Sequence, residues 1–600
     1  MIKKWMWMAP VSIVATAGIT GGIVGAYFAN QSANPYRFYA ANPMSGNTTD
    51  LIQSYFASAV NGTKMLLLPG FNHTSPMTQA LAITQKENEP VYKYMSKTGF
   101  TLLDDSYGMP IFDKDGFLDT STAQPLWTSQ VASMQFRTDL GSFIVGIAAA
   151  EFLNEYQYYF APNDNDDLTW ATYGGATFSS VTGYMGGLQR GIAFFNEYIA
   201  PYATTKDGKP FKKIKQVFLN ENTSGNFASG FGPTDGNELI RSFLEKNVDL
   251  LVPVAGPQTQ QAVRLIKQFG KKTVVLGVDS AAEDDTNSNL ELPILGTQEV
   301  NGSTKIGGTN KIIQFSSMKK LDQASKLLLD NIENGDNGAP KAKDSTIGGF
   351  GYQSLGTTQN GSVGSSEAGY QYFVRAIGLL QAAHQSSNRN NTNGSKISVE
   401  ETNKIFAIPN NNPETNIPGT SAYKDYWDKA YEKAIKAIEK TKYFQDLNEP
   451  SNKIYYTLPA GTVLVDLNDV ANAKKWDYSD ISNEGKEMMP LYEDKLLPWF
   501  IKYYTNGESD QSKWTQIQKN EYSSLQQWFK DNKQEIEKRR DFELTNQLNK
   551  EAYEHNKSVI KIILTSSSTP LLDKSFGQST YVGLVEYWRG QGVDLPMPPS

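Results

Sequence analysis

Four apolar runs in the sequence end on residues suited to holding or transforming a small molecule. Asp104 and Asp105 follow FTLL (100–103), Gly174 and Gly175 lie in TYGGATFSSVTGYMGGLQRGIAFFNE (172–197), Gly256 and Pro257 follow LLVPV (250–254), and Asp279 follows TVVLGV (273–278). Glycine adopts backbone angles that other residues avoid, so the chain can turn sharply there and admit a ligand close to its main chain. Two such carboxylates, Asp104 and Asp279, have the chemistry of a general acid–base pair. Taken singly, each is also an ordinary turn residue. Their recurrence at the ends of successive runs points instead to a common site.

Such a site needs a scaffold that brings the run ends together. Strands are expected at 64–69, 100–103, 130–136, 216–219, 250–254, 273–278 and 312–315, several of them apolar without polar alternation, as in strands buried on both faces. Helical patterns separate them at 141–155, 180–198, 236–246, 259–269 and 319–333. This alternation predicts an α/β fold with parallel sheets, in which ligands sit outside the carboxyl ends of the strands. Beyond about 345 the texture changes to Gly/Ser/Thr-rich segments and then to long charged helical patterns at 423–442, 513–530 and 536–563. Six tryptophans, from Trp427 to Trp588, argue that this region folds.

Composition removes several alternatives. The net charge is −7 and no Lys/Arg-rich block occurs, so nucleic acid is not an expected partner. Cysteine is absent, which removes disulfides, thiolate metal sites and a lipid-bearing Cys; the three histidines, His73, His384 and His555, form no paired-ligand motif. No metal or cofactor is expected. No G-x-x-x-x-G-K-[ST] motif occurs, so ATP hydrolysis would belong to another polypeptide. Lys3 and Lys4 precede an uncharged stretch from Trp5 to Ala29, long enough to cross a ~30 Å hydrocarbon core. The two lysines predict an amino terminus inside and the bulk of the chain on the extracellular face of the cell membrane. The expected organisation is a transmembrane signal anchor at 1–30, a polar stalk at 31–60, a core at 61–370 and a mostly helical extension at 371–600.

Over about 64–365 the sequence resembles the basic membrane protein family, the nucleoside-binding subunits of ABC importers. The similarity runs in order through FTLLDD (100–105), FRTDLGSFIVGIAAA (136–150), TYGGATFSSVTGYMGGLQRGI (172–192), GFGPTDG (230–236), PVAG (253–256), LGVDS (276–280) and FSSMKKLD (315–322). The resemblance implies a two-lobed, periplasmic-binding-protein-like core with a ligand cleft between the lobes and no chemistry on the ligand. It implies that Asp104 meets the base edge, Phe231 stacks on the base and Gly256 lines the pocket. Asp279 would hold the ribose hydroxyls with the help of Lys319. An aromatic face suits a planar base, and an ammonium offsets a buried carboxylate. The first loop, GFNHTSPMTQAL (70–81), departs from the family pattern; Phe71, Asn72 or His73 would substitute there. The usual lipidated Cys is also missing.

The expected function is therefore a membrane-anchored, extracellular substrate-binding protein, not an enzyme, that captures nucleosides. It would deliver them to an ABC permease served by a separate ATPase. The alternatives are a nucleoside or sugar hydrolase using the carboxylate pair, and a surface interaction or sensing protein with a vestigial binding core.

Overall fold

The computed structural model describes residues 38–41, 48–60, 63, 65–83, 92–119, 130–219, 227–284, 311–334, 346–387, 397–398, 421–440, 485–540, 561–564 and 576–592, apart from isolated positions within these ranges. The anchor expected at 1–30 lies outside the described residues. Among the described residues, no helix is long and apolar enough to cross a membrane. The chain divides into two compact units, 1–135 with 321–355 and 484–600, and 136–320 with 356–483.

The second unit holds a six-stranded sheet in the order Ile214–Gln216, Leu168–Gly174, Leu250–Val254, Val274–Asp279, Ile313–Lys319, Val363–Ser365. Neighbouring strands are parallel except at the last pair, which is antiparallel. Successive side chains of a strand point to opposite faces, and both faces are covered. Leu168, Trp170, Leu250, Val252, Val274 and Leu276 pack with helices Thr138–Glu155, Ser179–Tyr198, Glu367–Ser387 and Ser421–Glu439. Ala171, Tyr173, Leu251 and Val275 pack with helices Asn237–Glu245 and Gln258–Phe269. Double coverage explains why these strands read as unbroken apolar runs.

The glycines of the Ser179–Tyr198 helix have a packing role. Gly183, Gly187 and Gly191 recur one turn apart and face the Thr138–Glu155 helix, where an added Cβ would collide with Thr138, the Asp139 carbonyl and the Phe143 carbonyl. The two helices therefore approach backbone to backbone.

The first unit is built on a seven-stranded sheet in the order Phe38–Ala41, Lys561–Leu564, Met65–Pro69, Gly99–Leu103, Val131–Phe136, Tyr352–Gly356, Lys486–Glu487. The first five strands run parallel. Helices Thr48–Val60 and Thr74–Ile83 cover one face, and Leu321–Asn334 and Phe576–Gly590 the other. A satellite cluster of Trp499, Phe500, Trp514, Trp528 and Phe529 packs against Met109, Phe112 and Leu118.

Several elements differ from the sequence reading. Thr48–Val60, within the stretch read as a polar stalk, is a helix that buries Leu51, Tyr55, Ser58 and Ala59 along one side. Lys561–Leu564, read as the end of a helix, is a strand inserted between Phe38–Ala41 and Met65–Pro69. The described segments after 371 are shared between the units: Ser421–Glu439 joins the core of the second, and Glu493–Tyr504, Gln516–Asp531 and Phe576–Gly590 belong to the first. The strand read at 216–219 is shifted back to Ile214–Gln216.

Candidate ligand site

In the second unit the chain runs from Leu168–Gly174 outward to Ile214–Gln216 and then returns to Leu250–Val254 on the opposite side. A reversal of this kind leaves a crevice beyond the carboxyl ends of the two diverging strands, where ligands bind in open α/β sheets. Gly174–Gly175 and Ala255–Gly256 stand at this place, and the Gly175 N–H donates to the Val254 carbonyl at 3.0 Å. Gly256 is exposed and has φ 55, so the turn suits a residue without Cβ. The Phe231 ring lies against Gly175, whose added Cβ would stand 2.5 Å from Cε1 of that ring. Gly175 is thus required for the aromatic to approach the strand end.

Asp279 closes the next strand and Lys319 the one after it; Met318 is paired with Asp279 across the two. The sequence pattern had Lys319 opening a helix. It is instead the last residue of its strand, 4% exposed, with the helix starting at Leu321. Lys319 Nζ lies 3.2 Å from Asp279 Oδ1, and the Tyr184 hydroxyl donates to the same oxygen at 2.9 Å. Lys319 Nζ also sits 5.4 Å from the centre of the Tyr184 ring. Tyr184 is buried in the first turns of the helix that follows Gly174–Gly175. No further partner holds Oδ2 among the described residues, so this side chain, 17% exposed, keeps one oxygen available as an acceptor.

The first unit gathers the other expected residues. Pro69 is paired with Leu103, which sets the loops after these strands side by side, and the Gly70 N–H donates to the Leu103 carbonyl at 3.1 Å. Phe71 and Asn72 are exposed there, while Asp104 is buried and its N–H donates to the Met134 carbonyl. Thr74 donates its hydroxyl to Asp105 at 2.5 Å. His73 is enclosed and contacts the Tyr55 hydroxyl through Nδ1 at 2.8 Å; burial pushes its pKa down to about 3, so it is a neutral imidazole. Asp104 and Asp279 share an unusual backbone: φ is 69 and 68, in the left-handed region that aspartate tolerates and most residues avoid.

Sequence reasoning missed Tyr184, Gln258 and Glu283. Tyr184 carried a usable signal, a polar-tipped aromatic early in the helix that follows a strand-end Gly pair. Gln258 and Glu283 carried none, because their partners are distant in sequence. Among the described residues no group of three or more His, Asp or Glu side chains is placed to hold a metal ion.

Fold and site together define an α/β protein of two parallel-sheet units, each presenting a strand-end aspartate. No protein-family profile matches the chain. It is similar to two uncharacterised lipoproteins, one from Mycoplasma genitalium (29% identical over 371 residues, 55% of this chain and 59% of that protein) and one from Mycoplasma pneumoniae (29% over 406 residues, 60% and 59%). The chain therefore spans about three fifths of the length of the curated relatives it matches. Solved structures that resemble it include an ABC transporter solute-binding protein from Aeropyrum pernix (TM-score 0.34, 15% identity, 67% of this chain and 85% of that one). Another comes from Conexibacter woesei (0.32, 11%, 57% and 84%). A third, from Burkholderia graminis, is in complex with D-arabinose (0.24, 12%, 46% and 70%).

Proposed function

We propose that this protein is a membrane-tethered receptor that captures nucleosides at the cell surface for an ABC importer. The observation that carries the reading is Asp279: one oxygen is held by Tyr184 and Lys319, and the other remains an acceptor at the rim of the strand-end crevice. That arrangement suits a neutral polyol such as ribose, with Phe231 over Gly175 offering an aromatic ring to a planar base. The names of the two relatives support tethering, although this chain has no cysteine to carry a lipid. The uncharged stretch 5–29 is the proposed tether, and protease added to intact cells should remove the bulk of the chain.

The test is to purify residues 35–600, denature the protein, identify any released small molecule by mass spectrometry, and titrate the refolded protein with adenosine, guanosine and uridine. A released or tightly bound nucleoside supports the receptor. Cleavage of the nucleoside during incubation would replace it with a hydrolase, and the absence of any binding or stabilisation would leave a surface protein with a vestigial core.

A further inference from the structure

Phe231 sits in a loop with no regular secondary structure, flanked on both sides by glycine, in the segment 230–236. A loop of this composition has many conformations open to it, and a stacking ring is useful only when its plane is fixed before the ligand arrives. The loop is tied at its base by a main-chain bond, Ala228 N–H donating to the Gly174 carbonyl at 2.8 Å, and next to Phe231 by Gly232 N–H donating to the Asp235 carboxylate at 2.7 Å. The Phe231 ring itself packs against both core clusters of the unit, and one side chain holds the carbonyls on either side of it.

That side chain is Gln258. It is the first residue of the Gln258–Phe269 helix, just after the exposed Gly256–Pro257 turn, and it is fully buried. Its Nε2 donates to the Gly230 carbonyl at 2.8 Å and to the Gly232 carbonyl at 3.0 Å. One amide group thus spans the two peptide carbonyls on either side of Phe231. Both acceptors are carbonyl oxygens, which fixes the amide orientation with nitrogen toward the loop. The space around the other end is filled: an added Cβ on Gly236 would collide with Gln258 Oε1 and stand 2.7 Å from the Tyr173 hydroxyl. The amide is thus enclosed at both ends, Nε2 on the loop carbonyls and Oε1 against the Gly236 turn.

We propose that Gln258 is a positioning residue that sets the plane of Phe231 and so tunes recognition of the planar part of the ligand. The proposal rests on the reading of Phe231 as the ring that stacks on a nucleoside base. Gln258 touches no ligand; it acts through the loop. Its effect must therefore vanish when the ring is gone.

That requirement makes a double-mutant cycle the appropriate test. Gln258→Met keeps the volume and removes both donors, and Phe231→Ala removes the ring. Titration calorimetry of the wild type, both single variants and the double variant with guanosine, adenosine and uridine should give a roughly 3- to 20-fold loss for Gln258→Met. In the Phe231→Ala background the same change should cost less than about twofold. Gln258→Asn, which shortens the reach by one methylene, should show the same coupling with a smaller loss and serves if the methionine variant does not fold. In the ligand-free protein, hydrogen exchange across 228–236 should quicken in both Gln258 variants while the strand at 250–254 stays protected. Equal losses with and without the Phe231 ring, or unchanged exchange across 228–236, would overturn the proposal even if nucleosides bind. Failure of every nucleoside to bind, with exchange across the loop quickened, would instead remove the nucleoside reading and leave the clasp standing as a feature of the loop.

Discussion

The Tyr184 hydroxyl and Lys319 Nζ meet on one oxygen of Asp279, at 2.9 and 3.2 Å. Tyr184 comes from the helix after one strand and Lys319 from the end of another. The carboxylate is thereby oriented from two elements, and its second oxygen is presented rather than left to rotate. Removing only the hydroxyl should therefore loosen the acceptor without uncovering a buried charge. Tyr184→Phe should weaken ribonucleoside binding roughly fivefold, about 1 kcal/mol, with the denaturation midpoint nearly unchanged. An affinity equal to wild type in calorimetry would show that Lys319 alone suffices to orient Asp279.

Discrimination between sugars follows from the same geometry. On the proposed reading, a ligand with hydroxyls at both the 2′ and 3′ positions would give Asp279 two donors, and a 2′-deoxy ligand one. The loss of a bond to a charged acceptor costs about 1–3 kcal/mol, so ribonucleosides should bind roughly 5- to 150-fold tighter than their deoxy counterparts. The difference should shrink to a factor of about two in Asp279→Ala. Equal affinity for both sugars in the wild type would exclude Asp279 from the sugar subsite.

Close helix packing gives a prediction that involves no ligand. Gly191 faces the Phe143 carbonyl and stands with its Cβ position 3.0 Å from the Gly146 Cα, so any side chain must push two backbones apart. Overpacking of this kind costs about 1–3 kcal/mol. Gly191→Ala should lower the urea midpoint of the second unit by a corresponding amount. An unchanged midpoint would mean that the helix pair separates freely.

The readable part of the fold was the part with local causes. Leu250–Val254 and Val274–Asp279 are buried on both faces and announce themselves as apolar runs, and the residues just past them inherit the strand-end position that makes them candidates. What escaped had causes elsewhere in the chain. Val363–Ser365 lies in the Gly/Ser/Thr-rich stretch beyond 345 and offers no apolar run; it packs on the Thr138–Glu155 helix, where a Cβ on Gly141 would stand 3.0 Å from Val363. Lys561–Leu564 pairs with strands about 500 residues earlier, and no window of sequence reports a partner at that distance. Lys319 was legible as a cation near Asp279 only through resemblance; its strand placement depends on pairing with 274–279. The glycines at 183, 187 and 191 answer to a neighbouring helix that no local pattern reports.

Glu283 allows a prediction whose sign is fixed by linkage. It lies four residues after Asp279, fully enclosed; Ser316 donates its hydroxyl to Oε2 at 2.6 Å, Ser366 also bonds the carboxyl, and Lys311 reaches its backbone carbonyl. Burial pushes the carboxyl up to about 7, and the two serine bonds only partly offset this. The folded protein therefore holds a proton that the unfolded chain releases near its ordinary value of 4.5. Where the folded state binds more protons, stability falls as pH rises. The Glu283 contribution is thus fully present below about 4.5 and lost as pH climbs through about 7. A shift of this size corresponds to about 3 kcal/mol. Glu283→Gln keeps an acceptor for Ser316 and carries no charge at any pH, so it should unfold later than wild type at pH 8 and show little advantage at pH 5. Asp249, whose carboxyl burial also pushes up to about 6, is common to both proteins and cancels in the difference. Urea midpoints at pH 5, 6, 7 and 8 for the two proteins decide the matter: converging curves at low pH are expected, and parallel curves would show that Glu283 keeps the same protonation folded and unfolded.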